Sequence, residues 1–107
     1  MTSIDDYYSL GPKDYGPIVK LEFLQSDCEG GVEQCLSIVL SKRPRLSGPR
    51  LMLRFLGVSQ LEFSQPDWSL SAFGLIDIHE RDGGFHVTED EGRLRFACTG
   101  FEASSVH

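Results

Sequence analysis

From Ile18 onward, apolar and polar residues alternate with a period of two over most of the chain, the signature of half-buried β-strands. Val19, Leu21 and Phe23 alternate with Lys20 and Glu22; Leu36, Ile38 and Leu40 alternate with Ser37, Val39 and Ser41. Leu51, Leu53 and Phe55 alternate with Met52 and Arg54, and after Gly57 the pattern resumes at Leu61 and Phe63. An isolated glycine inside such a pattern marks a bulge or bend. Arg50 to Phe63 therefore reads as one long kinked strand or two short ones. Leu75–Arg81, Phe85–Glu89 and Arg93–Phe101 are three further runs with turn signals between them. Loops are expected at Asp27–Gly31 and Lys42–Pro49. Ser64–Ala72 reads as a connection with one helical turn capped by Asp67. Residues 1–17 carry two glycines, two prolines and three tyrosines without a sustained period, which predicts an irregular arm lying against either its own domain or a partner. No apolar stripe of helical spacing exceeds two turns. The prediction is an all-β fold: an antiparallel β-sandwich or small open barrel of six to seven strands, with a single domain over 18–107.

The last third of the chain permits a statement of register. Asp82-Gly83 is a strong signal for a two-residue type I′ hairpin loop. It pairs Arg81 with Gly84, His79 with His86 and Ile78 with Val87. Ile76, Ile78, Phe85 and Val87 then share one face, and Asp77, His79, His86 and Thr88 the other. A three-residue loop would set His79 opposite Val87 and mix the faces, so the pattern rejects it. Glu91-Gly92 closes a second hairpin, which pairs Asp90 with Arg93, Thr88 with Arg95 and Val87 with Phe96. Leu94, Phe96 and Cys98 join the apolar face, Arg93 and Arg95 the polar one. The result is a three-stranded meander, dry on one side and wet on the other.

Length and charge narrow the function. A chain of 107 residues makes one domain and leaves little room for a separate cofactor-binding unit. Sixteen Asp and Glu against ten Lys and Arg give a net charge of −6, which argues against nucleic acid as partner. No apolar run has a membrane-spanning length, and the start MTSIDDYYSL lacks the basic and apolar regions of a secretory signal. Three cysteines, Cys28, Cys35 and Cys98, fit neither a disulfide framework nor a zinc spacing, and Cys35 and Cys98 read as small buried hydrophobes. A soluble cytoplasmic protein is expected.

The charge is uneven. Residues 41–54 hold five bases (Lys42, Arg43, Arg45, Arg50 and Arg54) and no acid, whereas residues 1–40 hold seven acids and two bases. The basic stretch is expected to neutralise nearby carboxylates, with contact to an anionic ligand as the alternative. The acidic runs Asp27-x-Glu29-x3-Glu33 and Glu89-Asp90-Glu91 lie at loops, where they favour solubility or offer a docking surface to a basic partner.

Candidate chemistry is sparse. His79 and His86, with Asp77 and Arg95 nearby, form the one cluster of catalytic residue types, and cross-strand imidazoles about 4.5–5.5 Å apart at Cβ are placed to share a metal. Two ligands plus one carboxylate fall short of a structural zinc, so a solvated sheet face is the expectation and no cofactor is assigned. No serine sits in a G-x-S-x-G elbow, and no glycine-rich phosphate loop precedes a helix. Trp68, in a connection, reads as a lid on the core or an interface anchor. The candidate partner-binding residues are Glu89, Asp90, Glu91, Trp68, Tyr7 and Tyr8.

The runs LMLRFLGVSQLEF (Leu51–Phe63), LIDIHERDGGFHVTEDEG (Leu75–Gly92) and LRFACTGFE (Leu94–Glu102) resemble small, mostly β bacterial immunity proteins of polymorphic toxin systems and related uncharacterised bacterial domains. The resemblance covers about half of the chain and rests on strand patterning. It implies a non-enzymatic protein that binds and blocks a cognate toxin, many such toxins being basic nucleases. Two further readings stand beside it. One is an assembly protein whose sheet edge or tyrosine-rich arm makes a homodimer. The other is a metal protein using His79 and His86.

Overall fold

A computed structural model describes residues 3–28, 31–42, 48–64, 74–90 and 92–106. Alternation in the sequence becomes eight strands: β1 (Tyr15–Cys28), β2 (Gly31–Lys42), β3 (Arg50–Leu56), β4 (Ser59–Phe63), β5 (Ile76–Arg81), β6 (Gly84–Glu89), β7 (Leu94–Cys98) and β8 (Gly100–Val106). They form two antiparallel four-stranded sheets, ordered β1-β2-β3-β8 and β4-β7-β6-β5. Neither sheet closes on itself, so the architecture is not a barrel.

The strand number exceeds the six to seven expected because two long runs each bend and change sheets. Arg50–Phe63 breaks at Gly57, and the run that begins in β7 breaks at Thr99. The two corners nest. The Thr99 amide donates to Leu56 O at 2.9 Å and its hydroxyl donates to the same oxygen at 3.2 Å. Gly57 has φ +62°, and a Cβ there would collide with the Thr99 side chain. Glycine is thus required twice over, for its left-handed backbone and for the close approach. The predicted single strand Arg93–Phe101 is corrected for the same reason: its two halves face different neighbours, β6 before Thr99 and β3 after it.

Side chains from both sheets meet in one core. Leu36, Ile38 and Leu40 of β2 and Leu51, Leu53 and Phe55 of β3 lie in it with Ile76, Ile78, Val87, Leu94, Phe96 and Phe101. Phe55 and Phe96 join the sheets edge-to-face with ring centroids 4.8 Å apart, and Phe85 meets Phe101 at 5.1 Å. Each large apolar side chain buried here contributes about 1.5–3 kcal/mol. Cys35 and Cys98 are buried free thiols, as expected.

The hairpin registers are those derived from the turns. Arg81 pairs with Gly84, His79 with His86, Val87 with Phe96 and Thr88 with Arg95. Asp82 and Gly83 both have positive φ, +48° and +82°, as a type I′ turn demands.

Three expectations need correction. The arm over 1–17 is not irregular: helix α1 (Ile4–Ser9) and a 3₁₀ turn (Pro12–Asp14) occupy it, and β1 already begins at Tyr15. Ser3 caps α1 by accepting the Asp6 amide at 3.1 Å. Second, β1 runs to Cys28 and β2 starts at Gly31, so most of the expected Asp27–Gly31 loop is paired strand. Third, Lys42 belongs to β2 and its amide donates to Pro49 O at 2.9 Å. Asp67, Trp68, Glu91, Glu29, Arg43 and Arg45 lie outside the described residues.

Candidate binding surface

Of the candidate partner-binding residues, Tyr7 is buried and forms part of the core. Its hydroxyl donates to Ile76 O at 2.5 Å, and burial pushes its pKa well above the ordinary tyrosine value, with Tyr8 and Asp77 adding to the effect. Tyr8 lies partly exposed beside it. Its hydroxyl accepts the Ile78 amide at 3.2 Å and donates to Asp77 Oδ1 at 3.0 Å. Its pKa is raised too, first by desolvation, then by the Asp77 carboxylate. Ile76 and Ile78 belong to β5, the terminal strand of its sheet. The two adjacent tyrosines of a one-and-a-half-turn helix therefore occupy backbone groups along a sheet edge. The sequence singles out the tyrosines, but a pair Tyr7-Tyr8 carries no signal of whether it meets the domain or a partner, nor of which edge.

The acidic run also divides. Glu89 is buried rather than solvated. Arg93 Nη2 meets its Oε2 at 2.8 Å and Arg93 Nε its Oε1 at 3.1 Å, a two-pronged ion pair. The amides of Gly74 and Arg93 donate to the same carboxylate at 2.7 and 3.1 Å. Burial pushes the Glu89 pKa up, but the guanidinium and the two amides outweigh it and hold the pKa below the usual value. Glu89 thus fastens the second turn and the start of the chain's return at Gly74. Asp90 stays exposed at that turn. Alternation places Glu89 on the face of Val87, a signal for burial that its acidic neighbours obscured.

His79 and His86 stand opposite each other on the outer face of their sheet, in a row with Ala97 and Ser59. Asp77 lies on the same face, engaged by Tyr8. Arg95 lies on the same face, in the neighbouring row Asp77–Thr88–Arg95–Glu62, and pairs with Glu62 at 2.7 Å. Among the described residues no group of three His, Cys, Asp or Glu is placed to hold a metal. A groove of about 530 Å³ runs beside His86, lined by Gly57, Ser59, Gln60, Arg81 and Thr99 among others. Cys98 also borders it, but burial pushes that thiol up to about 11, only partly offset by a backbone hydrogen bond from Gly100. At neutral pH it is a protonated thiol and a poor nucleophile. The Thr99 hydroxyl is committed to Leu56 O.

Exposed apolar side chains gather elsewhere. The β2–β3 ladder ends at Cys35 opposite Leu56, and the Val58 amide donates to Gln34 O at 2.9 Å. Beyond that point β1 and β2 continue paired through Ser26–Glu33 and Asp27–Val32 to Cys28–Gly31. Three residues at about 3.3 Å each carry this hairpin end roughly 10 Å past its neighbour. Val32 on it is 61% exposed, and Leu24 and Phe23 at its base are 48% and 40% exposed. Acidic residues Asp27, Glu29 and Glu33 belong to the same stretch of sequence. The sequence predicts a loop over Asp27–Gly31, because strands outside the core need no apolar alternation.

Comparisons with protein-family models, with curated proteins and with solved structures found no match to this chain.

Proposed function

We propose that this chain is a non-enzymatic protein-binding domain with a sandwich-like architecture, whose partner is a protein with a basic surface. The carrying observation is the overhanging end of the β1–β2 hairpin, with exposed Val32 and Leu24 set in an acidic stretch of sequence. An apolar contact rimmed by charge is the usual composition of a protein interface, and the charge adds steering and specificity. The net charge of −6 favours a basic partner. The immunity-protein resemblance of the second half supplies the class: a bacterial toxin, neutralised by occlusion in the cytoplasm.

The test is affinity capture from an extract of the source cell, at low and at high salt, with the native chain and with Val32→Asp. One basic protein, retained at low salt, released as salt rises and lost with the variant, is the expected result. Retention of the same proteins by both chains, or of none, would overturn the proposal.

A further inference from the structure

The two sheets end in four strands, β1 and β8, β4 and β5, and these edges are treated differently; β8, like β1, has no strand of the described residues on its outer side. On β5 the Ile76 carbonyl and the Ile78 amide are taken by Tyr7 and Tyr8. On β4 the ladder to β7 shifts register between Ser59 and Glu62, and Gln60 sits at φ +56°, so that edge is kinked. On β1, fourteen residues long, no strand among the described residues pairs with the outer side. A long open edge carrying apolar side chains is a template for another strand. Val19 and Phe23 there are 42% and 40% exposed.

The order of residues along β1 selects the strand that fits. Ile18-Val19-Lys20-Leu21-Glu22-Phe23-Leu24 reads as apolar, apolar, base, apolar, acid, apolar, apolar. Turned end for end about Leu21, it presents Glu22 where Lys20 was, and Phe23 where Val19 was. An antiparallel pair related by a two-fold axis at Leu21 sets Lys20 of each chain against Glu22 of the other. Leu21 then faces its own copy; Val19, at the bulge, lies outside the regular pairing. Lys20 and Glu22 already meet within one chain at 3.7 Å, both well exposed. The two-fold pairing would interleave them into a ring of four alternating charges.

The two adjacent registers fail. A two-fold axis perpendicular to the sheet keeps each side chain on its face, so the register moves only in steps of two. One step either way puts Lys20 against Lys20 or Glu22 against Glu22, and like charges directly opposite are destabilising. Pro17, which has no amide to donate, and the bulge between Ile18 and Lys20 end the regular edge on the N-terminal side. A protein occupant has no reason to match a self-complementary sequence; a second copy does.

We infer that β1 is a homodimer edge, two copies pairing antiparallel about Leu21 into one continuous sheet. This goes beyond the proposed function and leaves the hairpin ends free, pointing away from each other. Sedimentation of the full chain from micromolar to millimolar concentration tests it, with Lys20→Glu, Glu22→Lys and the double exchange. The native chain is expected to dimerise reversibly. Each single reversal creates two like-charged pairs and should weaken the dimer about tenfold in Kd or more. The double exchange should restore it, and mixing the two single variants should give a heterodimer. Both side chains are exposed, so unchanged thermal melting confirms that each variant folds. A native chain that stays monomeric, or a dimer indifferent to the reversals, would overturn the inference. Val32→Asp lies off this contact, so loss of partner binding and loss of the dimer are separately visible.

Discussion

Two of the four terminal strands, β5 and β1, have opposite fates. At β5 a short N-terminal helix lays two tyrosine hydroxyls on the backbone, one giving a proton to Ile76 O and one receiving the Ile78 amide. At β1 the same kind of edge stays unpaired on its outer side among the described residues. An edge needs only one or two occupied backbone positions and a bulky neighbour to be blocked. The difference teaches that edge protection here is a property of the arm, not of the strand it protects.

The largest effect is expected at the blocking side. Tyr7→Ala removes a fully buried ring and should cost about 3–5 kcal/mol in urea unfolding. Tyr7→Phe keeps the ring and loses only the bond to Ile76 O, so a cost of about 1–2 kcal/mol is expected. If Tyr7→Phe costs as much as Tyr7→Ala, the ring is not the anchor and the comparison breaks.

Next comes Glu89→Gln, expected to cost about 3 kcal/mol at neutral pH, since it breaks the two-pronged ion pair of a buried carboxylate. The Glu89 pKa is depressed in the folded chain, so its stabilisation is present above the unfolded value near 4.5 and is lost as pH falls through the folded value. Unfolding free energies of the native chain and Glu89→Gln should therefore converge in acid. Parallel curves down to the acid limit would place Glu89 outside the network.

Gly57→Ala forces a side chain into a left-handed backbone against Thr99, and about 2 kcal/mol is expected from thermal melting. Smallest is Val32→Asp on the overhanging hairpin. It should move the unfolding midpoint by less than about 0.5 kcal/mol, because an exposed side chain away from the core carries little stability. A large loss there would mean that the hairpin end is packed, and that the exposed surface is not a free one.

Much of the fold was legible because turns and alternation are local. Asp82-Gly83 set the register of Ile78 against Val87 and His79 against His86, and Gly57 announced the bend. Thr99 announced nothing: its corner is dictated by the Leu56 carbonyl it meets across the fold, a contact between distant parts of the chain. The candidate surface was less legible. Tyr7 and Glu89 were singled out for partners, yet both are internal anchors, because a hydroxyl or carboxylate reads the same whether it meets water, a partner or a buried backbone group. The pairing of Gln25–Cys28 with Gly31–Gln34 escaped notice because it is carried by backbone hydrogen bonds, which no side-chain period records.

Residue-resolved amide exchange, followed as a function of protein concentration, tests the contrast between the two edges most directly. The Ile78 amide should be protected at every concentration, and should lose protection in Tyr8→Phe. One alternating set of amides within Lys20–Leu24 should exchange rapidly in dilute solution and slow as concentration rises. An Ile78 amide that exchanges freely in the native chain, or β1 amides whose rates ignore concentration, would contradict it.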